Sequence, residues 1–440
     1  MTDLQALEGV LSRRGLLKAM GLGAGAAALA PVLAACGGGE TGSAATEVVE
    51  WNGWTGADGV DNLKDFLAKF PAAKENMKVK NVAYQWDTLF SKLPVAVQSG
   101  NAPNVVIMHP TEVPQFVDLK ILQPLDDLLG KAGISFTDIE PNAVEVNKFQ
   151  GKQYGVPGDF HPMGMYYNIK HLESAGLDPQ KPPANAEEFL HFAEELKGKV
   201  PSSQMLAPLF IPYNNAAQAR WFWWSLLHQF GGTFLSEDNT TCTVDSEAGV
   251  KSLQFLVDLF KKGLATGDGG SQSPESAGKI GMWMVGPWAI PQYLDAKLPF
   301  VTGELPVIGT KPATWANGHC FVVVQGTSGK ALDNSMKFIK WFQENYADPA
   351  QSQGLVPVSK KALADPIYTG SRAYPHLQPF IKASGYAVLE PRMHGYTNVF
   401  TFGKPTPLSV NLTAALQGKL PVAEALKEMA SGVNAILAKN

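Results

Sequence analysis

The chain is 440 residues long, 45% hydrophobic and 17% charged, with a formal net charge of −4. That length exceeds what one ordinary hydrophobic core fills, so two domains are expected. There is no basic excess and no motif for reading RNA or DNA, which argues against nucleic acid as a partner. Downstream of Pro110 no apolar stretch is long enough to span a bilayer.

The first element is an export signal. Ser12-Arg13-Arg14-Gly15-Leu16-Leu17-Lys18 carries a twin-arginine pair, an apolar Gly/Ala-rich run follows from Ala19 to Ala35, and Leu33-Ala34-Ala35-Cys36 closes it. A charged start, an apolar middle and small residues at the cut mark a cleaved signal. Paired arginines point to bacterial export. The LAAC ending resembles a lipobox, in which the cysteine thiol is lipidated and becomes the new N-terminus. Residues 1–35 are read as the signal peptide, Cys36 as the lipidation site and residues 36–46 as a flexible tether. A transmembrane anchor is the competing reading, but the run falls short of the ~20 residues a span needs. The expected location is the outer face of the cytoplasmic membrane, held by lipid only.

Strands then alternate with helices. Glu47–Glu50 starts a strand, Trp51-Asn52-Gly53-Trp54-Thr55-Gly56 makes a loop, and Val60–Phe70 has helical spacing. Val79–Tyr84 reads as a strand, Trp86–Ser99 as a helix, and Val105–Met108 as a strand buried on both faces. Glu112–Leu119 is helical again. After Gly155-Val156-Pro157 the pattern restarts with a strand at Gly164–Asn168. Ala186–Lys197 is an amphipathic helix, acidic early and basic late as the helix dipole prefers. Arg220–Phe230 reads as a buried helix, and another follows Asp245 to about Lys262. Ile280–Val285 is a strand broken by Gly286-Pro287, after which Trp288 opens a helix. Cys320–Val324 is a buried strand, Ala331–Glu344 a helix, and residues 406–438 are mostly helical. The alternation predicts a doubly wound α/β architecture without an internal repeat.

Cys242 and Cys320 remain after Cys36 and are expected to be buried free thiols. There is no CxxC and no HExxH, and the eight histidines are scattered, so neither a metal site nor a cofactor is expected. Most of the ten tryptophans are expected in cores. Several, however, sit beside Gly, Pro or Asn, where loops form. An indole offers a large apolar face and one N–H donor, which fits the C–H face of a sugar.

Seven motifs in order carry a family resemblance: Gly100-Asn101-Ala102-Pro103-Asn104-Val105-Val106, Leu122-Gln123-Pro124-Leu125-Asp126-Asp127-Leu128, Tyr154-Gly155-Val156-Pro157, Tyr166-Tyr167-Asn168, Ala175-Gly176-Leu177-Asp178-Pro179, Gly278-Lys279-Ile280-Gly281-Met282-Trp283 and Gly286-Pro287-Trp288. Behind a lipobox, this series resembles the substrate-binding lipoproteins of bacterial ABC importers, of the carbohydrate (maltose-binding-like) type, over residues 47–438. Two departures stand out. Asn104 replaces the family's usual aspartate, and Ala184-Asn185 replaces a threonine-tryptophan pair, which leaves the cap of the following helix open. The resemblance implies two α/β lobes joined by crossover hinge strands, with ligand in the cleft between them. The N-terminal lobe would comprise residues 47–158 and 312–357, and the C-terminal lobe residues 159–311 and 358–440. Pro and Gly at the crossings suit hinges whose ends change angle.

Candidate ligand contacts lie at the carboxyl ends of strands, the usual binding edge of open α/β sheets. They are Trp54 and Asp58 after the first strand, Trp86 after the second, and His109 and Glu112 after the third. Asp159 and His161 follow the first crossing, Trp288 follows Gly286-Pro287, and Asn317 and His319 precede Cys320. The resemblance implies that Trp288 stacks on a sugar ring and that Asp159 and His161 line the cleft. Asp58 is equally well read as a helix cap, and His109 as a turn residue. Of Trp221, Trp223 and Trp224, neighbours point about 100° apart on a helix; one is expected in the cleft, and Trp223 is taken as that one. Arg392, in a Pro-Arg-Met-His loop, is a further candidate, with a surface ion pair as its alternative role.

The function implied is a non-enzymatic, monomeric receptor. It would capture a disaccharide or short oligosaccharide by lobe closure and deliver it to ABC permease subunits. The chain has no GxxxxGK[ST] phosphate loop, so the importer's ATPase is another protein. One alternative is a glycerol-3-phosphate or glycerophosphodiester receptor of the same importer type. A more distant one is an exported glycosidase, which needs two carboxylates flanking a sugar bond.

Overall fold

The computed structural model describes residues 46–55, 57–71, 77–213, 216–271, 273–393, 395–401 and 404–439. The signal peptide, Cys36 and nearly all of the tether lie outside them. Among the described residues no helix is long and apolar enough to cross a membrane.

The strands in chain order are β1 (Thr46–Asn52), β2 (Met77–Ala83), β3 (Val105–Met108), β4 (Lys148–Phe149), β5 (Lys152–Gln153), β6 (Gly155–Pro162), β7 (Gly164–Asn168), β8 (Ala207–Phe210), β9 (Ala265–Thr266), β10 (Ile280–Val285), β11 (Phe300–Gly303), β12 (Thr314–Val323), β13 (Val356–Pro357) and β14 (Ala387–Leu389). One sheet has the order β13-β6-β12-β3-β1-β2, with β14 alongside β12; a second has the order β11-β7-β10-β8-β9. Helices cover both sheets. The fold is therefore α/β in two lobes, each built on its own sheet.

Apolar runs made the central strands. All four residues of β3 are buried, as are all six of β10 and all ten of β12. Strands covered on both faces read as apolar runs rather than alternating; β12 does so from Cys320 on, while its first half buries the polar Thr314, Asn317 and His319. The helix Ala186–Lys199 follows the opposite rule. It buries Phe189, Phe192, Ala193 and Leu196, one stripe at helical spacing, and exposes its charges. Asn185 caps it by accepting from the Glu188 amide at 3.0 Å, while Glu188 accepts from the Ala184 amide at 2.7 Å. The departure at Ala184-Asn185 thus leaves the cap intact. Asn104 is structural too, since its side-chain oxygen accepts from the Val49 amide at 2.8 Å.

The structure differs from the expected boundaries in two places. The first sheet keeps the chain to Pro162, so Asp159 and His161 belong to strand β6 rather than to the second lobe. Further on, β14, expected with the second lobe, pairs in parallel with Thr314–Ala316 of β12. Those residues project beyond the partner strand β3, whose pairing covers Cys320–Val323 only, and leave an edge to fill.

The chain returns to the first sheet between β11 and β12, and one side chain holds this segment. Gln229 donates to the carbonyls of Pro306 and Ala313 at 3.0 and 3.1 Å and accepts from the Ile308 amide at 2.7 Å. It is fully buried, so Gln229→Leu strands three backbone groups away from water. Each such loss costs about 1–3 kcal/mol before relaxation, and a net destabilisation of about 2–3 kcal/mol is expected in a urea denaturation series. A change below 0.5 kcal/mol would show that the return segment does not depend on this residue.

Candidate functional site

Three adjacent strands bring the site together. β12 runs antiparallel to both β3 and β6, with Cys320 opposite Met108, His319 opposite Asp159 and Asn317 opposite His161. His109 follows β3 directly. The side chains of His109, His161 and His319, far apart in the chain, thereby converge. Ring centroids of His161 and His319 are 4.7 Å apart, and those of His109 and His319 are 5.4 Å apart. One nitrogen from each ring lies within 4.8 Å of the others. The expectation that the histidines are scattered is therefore wrong for these three, because strand pairing, not spacing along the chain, sets their separation.

A bulge tunes the geometry. Register between β12 and β6 shifts at His319/Cys320, so that Gly158 is the extra residue. A Cβ on Gly158 would lie 2.7 Å from the Tyr346 ring. The missing side chain lets that ring lie against the strand and its hydroxyl donate to Asp159.

Carboxylates stand behind the imidazoles. Asp159, 2% exposed, takes Nδ1 of His161 at 3.0 Å on one oxygen and Nδ1 of His319 at 2.8 Å on the other. Burial pushes its carboxyl up, but the two histidines outweigh that and hold it well below the usual range. Burial pushes His161 down to about 4, against the pull of Asp159. Glu112 meets Nδ1 of His109 at 3.2 Å and accepts from the Thr111 hydroxyl at 2.8 Å; Asn317 donates to Thr111 at 3.0 Å. His109 and Glu112 are thus tied to β12 by one hydrogen-bonded chain.

Indoles surround the cluster. Trp86 stacks on His319 at 5.4 Å and lies tilted on His109 at 4.2 Å. It covers Gly53, where a Cβ would sit 2.1 Å from the ring. Trp54 donates from Nε1 to Nε2 of His319 at 3.2 Å. From the second lobe, Trp288, in the turn after β10, meets His161 edge-on at 5.4 Å and Trp221 at 5.9 Å, and Trp221 packs on Trp315 of β12 at 4.8 Å. The Trp288 ring folds back over Gly286, where a Cβ would be 1.9 Å away.

Eleven of the twelve candidate residues can be placed at or away from this cluster on side-chain contacts. Trp54, Trp86, His109, Glu112, Asp159, His161, Trp288, Asn317 and His319 come together. Asp58 lies in the helix Ala57–Ala68, but its side chain is outside the described ones. Trp223 is a correction: it is wholly buried in the core of the second lobe. Trp221, about 200° round the helix, takes the place expected of it. Arg392 is a second correction. Its guanidinium binds the backbone carbonyls of Glu145, at 3.0 Å, and Lys148, rather than a cleft residue or a surface carboxylate.

Tyr346, Thr111 and the buried group around Glu390 were not legible. Glu390 forms an ion pair with Arg220 at 2.7 Å and accepts from Trp315 at 2.8 Å and from Tyr396. No local motif marks these residues; only the fold joins them. Cys242 and Cys320 are free and buried, as expected.

Glu50 supports Trp54 from below. It accepts from Asn52 at 3.2 Å and from Asn81, and Asn52 accepts from the Trp54 amide at 2.9 Å. Burial pushes the Glu50 carboxyl up to about 8, against both asparagines. Its stabilising contribution is therefore complete below about 4.5 and is lost as pH rises through about 8. Glu50→Gln should match the parent near pH 4.5 and exceed it at pH 9 by up to about 5 kcal/mol, the linkage equivalent of a carboxyl raised from 4.5 to about 8. Parallel denaturation curves at the two pH values check this, and equal gains at both would contradict it.

Two lobes on separate sheets, with polar groups of the first and indoles of both meeting at their boundary, define a two-lobed ligand-binding protein. The chain belongs to the bacterial extracellular solute-binding protein family, whose model matches residues 65–379. It is 24% identical to the diacetylchitobiose binding protein DasA of Streptomyces coelicolor, over 97% of this chain and 99% of that one. It is also 24% identical to the sn-glycerol-3-phosphate-binding periplasmic protein UgpB of Escherichia coli, over 72% and 76%. The GacH receptor of Streptomyces glaucescens superposes with a TM-score of 0.76 at 22% identity, covering 89% of this chain and 99% of that one.

Proposed function

We propose that the protein is the sugar-binding component of an ABC importer, capturing a disaccharide or short oligosaccharide between its lobes. The observation that carries this is the pairing of indoles with hydrogen-bonding groups at the lobe boundary. Trp54 and Trp86 come from one lobe and Trp288 and Trp221 from the other, around Asp159, Glu112, Asn317 and the three histidines. Stacked indoles hold the apolar faces of sugar rings, and carboxylates and amides choose among hydroxyls. Binding that contacts both lobes at once favours the closed arrangement. The relation to a diacetylchitobiose binding protein supports the same ligand class.

Capture without chemistry is the reading for this cleft. Export by the twin-arginine route, lipid attachment at Cys36, a monomeric state and docking on permease subunits complete it. The rival ligand is a glycerol phosphate, favoured by the similarity to UgpB. Phosphate asks for arginine or lysine donors. Here Arg220 is paired with Glu390, and Arg392 is held by carbonyls. A thermal-shift panel of mono-, di- and trisaccharides, glycerol 3-phosphate and glycerophosphocholine tests the choice. A ligand at a hundred times its Kd stabilises by about 2.7 kcal/mol. A shift confined to an oligosaccharide supports the proposal, and a shift confined to phosphate compounds overturns it.

A further inference from the structure

The three histidines do more than line a cleft. Each presents Nδ1 to a carboxylate: His161 and His319 to Asp159, His109 to Glu112. An imidazole whose Nδ1–H is held by a carboxylate carries its lone pair on Nε2, and the carboxylate raises that nitrogen's basicity. This is the arrangement by which proteins prepare histidines to bind metal. All three rings are 4–6% exposed, which keeps them from turning freely.

We propose that His109, His161 and His319 hold one divalent transition-metal ion of the zinc type through Nε2, leaving a coordination position for an oxygen of the bound ligand. Three imidazoles suit zinc, nickel, copper or iron(II), and do not suit magnesium or calcium, which take oxygen donors. With three protein ligands the fourth tetrahedral position stays open. Charge supports the assignment, because a dication on three neutral imidazoles balances the carboxylates of Asp159 and Glu112 behind them. Around a tetrahedral zinc with bonds of about 2.0–2.1 Å, ligand nitrogens lie about 3.4 Å apart. One nitrogen from each ring, Nδ1 or Nε2, already lies within 4.8 Å of the others, so modest turning and closing of the rings brings the three Nε2 atoms to that spacing on binding.

One contact competes. Trp54 Nε1 donates to Nε2 of His319, the lone pair the metal needs. Metal binding therefore exchanges this hydrogen bond for a coordinate bond and releases the Trp54 indole. That exchange makes a prediction of unusual sign. Trp54→Phe, which removes the donor, should tighten metal binding by about 3- to 10-fold, the worth of one hydrogen bond. A histidine cluster serving only to pack or to meet sugar hydroxyls gives no such gain.

The test uses untagged, chelator-stripped protein titrated with zinc chloride, with bound metal measured by elemental analysis. Cobalt(II) serves as a spectroscopic probe of tetrahedral nitrogen coordination. One equivalent per chain is expected, with the cobalt visible band, and both are lost in His109→Ala with His161→Ala. Less than half an equivalent, or retention in the double variant, would overturn the proposal. So would unchanged or weaker zinc binding in Trp54→Phe that circular dichroism shows to be folded. Sugar titrations on stripped and zinc-loaded protein separate this from the transport reading. Sugar binding without zinc uptake leaves the receptor standing and removes the metal site. Zinc uptake at the three histidines without sugar binding does the reverse.

Discussion

Replacing Trp288 with alanine is expected to weaken sugar binding about 30- to 150-fold. The ring is half-buried, seated over Gly286 and edge-on to His161, and it is the second lobe's main approach to the first-lobe cluster. Truncating an aromatic anchor at the centre of a binding site costs about 2–3 kcal/mol of affinity, which gives that range. The ring also packs against the cores of both lobes, so its removal should lower the melting temperature as well, by several degrees. Titration calorimetry of parent and variant checks the affinity. A change of less than threefold would remove Trp288 from the site. Gly286→Ala is a milder probe of the same feature, since its Cβ would displace the ring without deleting it.

Asp159→Ala should be the most damaging single change, at about 3–5 kcal/mol. The carboxylate accepts from His161, His319 and Tyr346 in a site closed to water. Removing one partner of a buried charged network leaves the others unpaired, and such losses reach that size. Binding should fail as well, because the two imidazoles lose the group that orients them. Asp159→Asn keeps one acceptor oxygen and should recover part of the stability but not the affinity, since the amide offers a donor where two Nδ1–H groups converge. Chemical denaturation and a ligand titration on both variants read the two effects separately. An alanine variant as stable as the parent would contradict the network.

Much of the fold was legible where local chemistry is strong. The uniformly apolar β3 and β10, the apolar Cys320–Val323 end of β12, and the helices with polar caps and one apolar stripe, were readable because burial dictates those patterns. Strand β6 was not. Gly155–Pro162 contains two prolines and two glycines, which local propensity assigns to a turn. It is a strand because β12 and β13 flank it on both sides. Within the site, Trp54 and Trp288 could be found from flanking Gly and Pro, and Trp86 from its place at the end of the second strand. The meeting of His109, His161 and His319 could not, since it depends on which strands pair and on a bulge at Gly158 that no spacing reveals. The choice of Trp223 over Trp221 failed for a related reason. Helical geometry separates the two faces of Ala216–Gln229 without saying which face the neighbouring lobe will meet.

The measurement that bears most directly on the central reading is a calorimetric titration of the purified protein with a chito- or malto-oligosaccharide, set beside one with glycerol 3-phosphate. Saturable binding of a single oligosaccharide at micromolar Kd or tighter, with no heat from glycerol 3-phosphate, is the expected result. Binding of glycerol 3-phosphate alone, or of no sugar in the panel, would contradict it.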